Sequence, residues 1–129
     1  MDYSTDLGSS SLGQIAINAK DLDRATTFYR DSLGLKHLFT VPKMAFFDCG
    51  GIRLMLGLAE SPEFDHASSV LYFAVDDIQK TFETLSRRGV HFEGKPHLIA
   101  KMETYDLWMA FFRDSEANLL SVMSNVPRR

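Results

Sequence analysis

The feature that most limits how this chain can fold is an internal repeat. The tetrapeptide Met44-Ala45-Phe46-Phe47 returns as Met109-Ala110-Phe111-Phe112. Each copy is followed by a polar turn and a short apolar run, Ile52-Arg53-Leu54-Met55-Leu56 in the first and Asn118-Leu119-Leu120-Ser121-Val122 in the second. Upstream, Gln14-Ile15-Ala16-Ile17-Asn18-Ala19-Lys20-Asp21-Leu22 is paralleled by Val70-Leu71-Tyr72-Phe73-Ala74-Val75-Asp76-Asp77-Ile78, and both lead into a helical pattern. One supersecondary unit has been used twice, and such a unit needs its neighbour to bury its apolar face.

Pattern rules give each unit the same elements. Residues 12–19 and 69–75 are β-rich, as buried strands are. Asp21 and Asp77 stand where a carboxylate can accept from the free amides of a helix's first turn. Leu22, Ala25, Phe28, Tyr29 and Leu33 form one core-facing stripe, and Ile78, Phe82 and Leu85 form the other. Gly34 and Gly89 close these helices. Three strands follow each helix, at 36–41, 44–49 and 52–57, then at 90–94, 105–113 and 118–123. The plan is α+β, two tandem βαβββ modules in a single domain over 12–124: module one 12–57, a linker 58–68, module two 69–124. Residues 1–11, rich in Ser, Gly and Asp, are expected to be a flexible tail. Residues 94–104 make a long connection between strands, either a lid or ligand-binding loop or a surface excursion.

Composition narrows the partners. At 129 residues the chain has room for one domain, and its net charge of −3 lacks the basic excess that nucleic-acid binding requires. The longest apolar stretch, Leu54 to Ala59, falls far short of the ~20 residues that cross a bilayer, so no membrane contact is expected. Met1 to Asp6 is acidic and polar where a secretion signal is basic and then apolar, which points to the cytoplasm. Cys49, alone, supplies neither a disulfide nor a multi-cysteine zinc site, and reads as a half-buried strand-end residue. Four histidines without helical spacing give no zinc motif, and no nucleophile elbow, phosphate loop or dinucleotide fingerprint occurs.

The stretch Asp21-Leu22-Asp23-Arg24-Ala25-Thr26-Thr27-Phe28-Tyr29-Arg30-Asp31-Ser32-Leu33-Gly34-Leu35 resembles the first-helix signature of the vicinal oxygen chelate superfamily, the glyoxalase, bleomycin-resistance and extradiol dioxygenase group. Asp114-Ser115-Glu116-Ala117-Asn118 resembles its closing turn, usually Asp-Pro-x-Gly-Asn, with Ser115 and Ala117 replacing the proline and glycine. The resemblance covers residues 12–124. It implies a curved mixed sheet with a concave trough and the helices outside. In the family's metal enzymes, His or Glu ligands come from the first and last strands of each module. The repeat places Gln14, Met55, Val70 and Ser121 at those positions. Val70 cannot coordinate, Met55 prefers soft copper, and Gln14 and Ser121 offer neutral oxygens that compete poorly with water. No cofactor is therefore expected, and a divalent metal belongs to the alternative reading.

Alternation from these anchors puts Gln14, Ala16, Asn18, Arg53, Met55, Val70, Tyr72, Ser121 and Met123 on the concave side. Ile15, Ile17, Leu54, Leu56, Leu71, Phe73, Leu120 and Val122 then pack beneath the helices. The ligand-binding candidates are Gln14, Asn18, Arg53, Met55, Tyr72, Trp108 and Ser121, with Arg53 suited to a carboxylate or phosphate and Tyr72 to stacking. The plain alternative is that Met55, Val70 and Met123 plug the trough, and that Trp108 is structural. His97, following Pro96, and Tyr72 are the acid–base candidates. His37 and His91 read as strand residues, His66 as part of the linker, and Asp114 and Glu116 as structural carboxylates of the closing turn.

The function these residues imply is small-molecule binding in the trough without a metal, by stoichiometric capture or by acid–base chemistry. One alternative is a metal-dependent glyoxalase-like lyase or isomerase, or a dioxygenase, recruiting His97, His66 or another unusual ligand. A second is an accessory protein with a filled trough. A homodimer is expected, because small members of the family commonly dimerise.

Overall fold

The two halves fold alike for the same local reasons. In the computed structural model, which describes residues 7–128, β1 (Gln14–Asn18) leads into α1 (Leu22–Thr27), and β5 (Leu71–Ala74) leads into α2 (Ile78–Arg87). Asp21 accepts from the Arg24 N–H at 3.1 Å and Asp77 from the Lys80 N–H at 3.1 Å, so each helix starts at its capping carboxylate. A single π turn over Phe28–Ser32 extends α1, with the Leu33 N–H donating to the Phe28 carbonyl at 3.0 Å. Gly34 (φ 77) and Gly89 (φ 89) then turn the chain out of each helix in the left-handed conformation.

Module one continues with β2 (Lys36–Val41), β3 (Met44–Cys49) and β4 (Ile52–Gly57), in the sheet order β1-β4-β3-β2. Module two continues with β6 (His91–Phe92), β7 (His97–Lys101), β8 (Tyr105–Arg113) and β9 (Leu119–Pro127). Its order is β5-β9-β8-β6, with β7 also paired to β8. In each sheet the strand before the helix runs parallel to the last strand of the module.

Four details depart from the sequence expectation. The modules form two separate sheets rather than one shared sheet, because β1 and β5 pair only with β4 and β9. The connection 94–104 is no loop: it holds β7, a bulged strand whose Leu98 and Ala100 face Trp108 and Leu107 of β8. Val70 precedes β5 instead of lying in it, and β9 runs on to Pro127. Of the expected tail, residues 1–6 lie outside the described residues, and Leu7–Ser9 forms a 3-10 turn that the Ser10 N–H closes on the Leu7 carbonyl at 3.1 Å.

The helix-covered faces of both sheets meet in one core. Ile17, Phe47, Leu54 and Leu56 from the first sheet join Phe112, Leu120 and Val122 from the second, with Tyr29 and Leu85 from the helices. The β8–β9 turn fastens the modules. Buried Asp114 accepts from the Tyr29 hydroxyl at 2.6 Å, from Asn118 Nδ2 at 2.9 Å, and from the backbone N–H groups of Glu116 and Asn118, each at 2.8 Å. Glu116 accepts from the Lys20 and Asp21 N–H groups at 2.8 Å and pairs with Arg24, whose Nε lies 2.8 Å away. Burial would raise the Glu116 pKa, but Arg24, those backbone amides and the Ser115 hydroxyl outweigh it and bring the carboxyl down to about 2. Ala117, where the resemblance leads one to look for glycine, holds a left-handed φ of 68.

Candidate functional site

Opposed residues on neighbouring strands share a face, so the register assembles the concave surface of module one row by row. Gln14, Arg53, Asp48 and Lys36 make a polar row; Ala16, Met55, Phe46 and Phe39 make an apolar row beside it; and Met44 with Gly57 begins a third next to Asn18. The first two rows are knitted together by side chains. Arg53 Nε donates to Gln14 Oε1 at 2.9 Å, and the guanidinium carbon lies 4.8 Å from the centroid of the Phe46 ring. Gln14 Nε2 reaches the Met55 sulfur at 3.6 Å, and Phe39 stacks on Phe46 at 4.6 Å. Four of the expected residues, Gln14, Arg53, Met55 and Asn18, are thus on one surface.

Asn18 has a different role from the one its sequence position suggests. Its Nδ2 donates to the carbonyls of Phe64 at 2.8 Å and His66 at 2.7 Å, and its backbone N–H donates to the Ser68 hydroxyl at 3.2 Å. These bonds hold the linker against the end of the concave face. Between the two lies a cavity of about 310 Å³, walled by Ala16, Met44 and Met55 from the sheet and by Leu58, Phe64 and His66 from the linker. The volume is at the lower end of that of small-molecule pockets. Sequence reasoning treated residues 58–68 as a connector and missed this wall. The available signal was Leu58, Ala59 and Phe64, apolar residues in an otherwise polar segment. Phe46 and Phe39 were missed as well, although alternation along β3 from Met44 places Phe46 on the concave side.

Module two presents a different surface. Ser121 lies opposite both Tyr72 and Phe111, whose rings meet edge-on at 6.0 Å. The serine is completely buried, and its hydroxyl donates to the carbonyls of Ala110 at 3.2 Å and Val122 at 3.0 Å. Tyr72 and Phe111 flank it on the neighbouring strands. Trp108 points to the opposite face of β8 from Phe111. It shares the helix-covered face with Ala110 and Phe112, packs against the core, and stands near the start of α2 with Asp76, Asp77 and Ser124. His97, opposite Met109 on β7, is exposed, with Nδ1 at 3.1 Å from the Lys95 carbonyl. No hydrogen bond joins His97 to Tyr72 among the described residues, although the register puts both on one face of module two's sheet, on β7 and β5.

The family model described as Glyoxalase/Bleomycin resistance protein/Dioxygenase superfamily matches residues 11–122. The chain belongs to this superfamily. The uncharacterized protein YraH of Bacillus subtilis (strain 168) is 32% identical over 123 residues, covering 84% of this chain and 94% of that one. A lactoylglutathione lyase from Agrobacterium tumefaciens superposes with a TM-score of 0.73 at 22% identity, covering 89% of this chain and 93% of that one. A superfamily member from Sphaerobacter thermophilus DSM 20745 does so with 0.74 at 21%, covering 92% and 99%. At such identities the solved structures speak for the fold, and the ligand must be argued from this chain's own side chains.

The metal enzymes of this superfamily imply a divalent ion at the four equivalent strand positions, and the residues present do not fit one. Gln14 has its amide engaged by Arg53 and Met55, Ser121 is sealed with its hydroxyl on two carbonyls, and Val70 carries no donor atom. That leaves the Met55 thioether, a soft ligand. Among the described residues no three of His, Cys, Asp and Glu gather closely enough to hold a metal, so His66 and His97 do not build a substitute site in this conformation.

Proposed function

We propose that this superfamily member is a small-molecule-binding protein that works without a divalent metal and holds its ligand on the concave face of module one, beneath the linker. The observation that carries the reading is the cavity of about 310 Å³ between that face and the segment pinned by Asn18. Its walls combine thioether and aromatic surface from Met44, Met55 and Phe64 with hydrogen-bonding groups from His66 and Ser68, the mixture that orients a small organic ligand. Stoichiometric capture suits this lining: its two ionisable side chains are Glu60 and His66, and the imidazole has its Nδ1 against the Ala67 carbonyl at 3.1 Å.

In the same reading the protein is a cytoplasmic homodimer without nucleic-acid or membrane partners. Exposed apolar residues on both sheets, Phe39 and Val41 on one and Tyr72 on the other, support association of copies through the concave faces. No helix is long and apolar enough to cross a membrane.

A thermal-shift screen of small organic acids, aldehydes and aromatic compounds tests the reading. Some of these compounds should raise the melting temperature by several degrees, Ala16→Phe should abolish the response by filling the cavity, and nickel, zinc, manganese or chelator should change nothing. Tight stoichiometric metal in the purified protein, or a ligand response indifferent to Ala16→Phe, would overturn it. Light scattering on the same preparation should give twice the chain mass.

A further inference from the structure

We infer that the ligand of this site is an amphipathic monocarboxylate, its carboxylate held by Arg53 and its apolar body lying along Met55 toward the linker cavity. The inference rests on the binding reading above and adds the chemical class of the ligand.

Arg53 shares with Arg87 and Arg88 the lack of a carboxylate partner among the described residues, but those two stand at the end of α2, donating to Thr84 Oγ1 and the Ser32 carbonyl, whereas Arg53 lies on the concave face of the sheet. Arg24, Arg30, Arg113 and Arg128 each pair with a carboxylate at 2.7 to 2.8 Å. Arg53 has no carboxylate within 4.0 Å among the described residues, although Asp48 stands opposite it in the ladder. Instead an amide and an aromatic ring aim it: Gln14 Oε1 accepts from its Nε at 2.9 Å, and Phe46 lies under the guanidinium at 4.8 Å. Gln14 cannot swing away without losing its contact with the Met55 sulfur at 3.6 Å, and Phe46 is backed by Phe39 at 4.6 Å. A guanidinium engaged only at Nε keeps the Nη1–Nη2 edge for a second partner, and that edge matches the two oxygens of a carboxylate. Fixing it beforehand lowers the entropy that binding costs.

The apolar half of the ligand follows from the next row. Met55 both touches Gln14 and lines the linker cavity, so it stands between the charged group and the walls of Met44, Phe64 and Leu58. From Arg53 to Gly57 is four residues of strand, about 13 Å. That length accepts a carboxylate followed by a short chain and one ring. A second negative charge meets no lysine or arginine in the cavity's lining, and Glu60 there would repel it. A phosphate dianion would sit beside Asp48, with Arg53 as its nearest cation and Lys36 on the far side of Asp48, so the monoanion is favoured.

Calorimetric titration of the full chain with phenylbutyrate and with phenylbutanol, its uncharged counterpart, tests this. The acid should bind at one per chain and more tightly than the alcohol, since a charge-assisted hydrogen-bond pair contributes about tenfold or more. Arg53→Met should remove that preference and leave alcohol binding intact. Gln14→Leu, which keeps the charge but not its aim, should weaken the acid by a smaller factor. Equal binding of acid and alcohol to the unaltered protein, or a preference that survives Arg53→Met, would overturn the carboxylate assignment while leaving the binding site standing. Absence of binding by either compound in a protein that melts cooperatively would overturn the site itself, and this inference with it.

Discussion

The two modules share a plan, yet they divide the labour of the protein. On module one the concave face carries an aimed arginine, a stacked pair of phenylalanines and a roofed cavity. At the matching place on module two, Tyr72 and Phe111 flank a buried Ser121. The closing turns differ in the opposite sense. In module one Gly50 and Gly51 make a tight hairpin with open space around them. In module two the turn Asp114 to Asn118 reaches into module one and ties the halves together. The fold carries two copies of each feature; in the function proposed above, one copy binds while the other holds the modules together.

The largest effect that would test this division is at Asp114. Its carboxylate accepts four hydrogen bonds while buried, so Asp114→Ala should destabilise the protein by about 3 to 5 kcal/mol in urea unfolding, as broken buried networks do. Asp48→Ala in module one should cost less than about 0.5 kcal/mol. Similar costs for the two would break the comparison.

A smaller effect is expected from acid. Glu116 has its carboxyl lowered from 4.5 to about 2, so the folded state binds its proton less readily than the unfolded state. The stabilisation is therefore fully present above pH 4.5 and is lost as pH falls toward 2, amounting to about 3 kcal/mol at most. Melting curves over that range should show the loss, and Glu116→Gln should flatten it. An unchanged slope in that variant would assign the acid sensitivity elsewhere.

The smallest effect concerns Ala117, which holds a φ of 68 where glycine is at ease. Ala117→Gly should raise stability by about 0.5 to 1 kcal/mol, the strain of a left-handed alanine less the added freedom of the unfolded chain. A loss of stability would show that the methyl group packs usefully in the turn.

Much of this was legible in the residues. Asp21 and Asp77 as caps, Gly34 and Gly89 as helix ends, and the partition of Ile17, Leu54 and Leu120 to the core all follow from local chemistry and the alternation of strands. Residues 94–104 were misjudged because β7 has no strong alternation; its pairing with β8 supplies the hydrogen bonds that make it a strand. Trp108 was open in the sequence between a structural and a ligand-contact reading, and its parity with Ala110 and Phe112 places it against the core.

By itself, then, the sequence determined the duplicated βαβββ plan and which residues, Gln14, Met55, Val70 and Ser121, stand at its four equivalent positions, because both depend on residue type and short-range period. Tertiary structure alone decided that the halves join through their helix-covered faces, that Asn18 draws the linker into a wall, and that Tyr72 and Phe111 flank Ser121. Those outcomes depend on contacts between residues far apart in the chain, such as Asn18 with His66 and Tyr29 with Asp114, and no local pattern records which distant partner a hydrogen-bonding group will find.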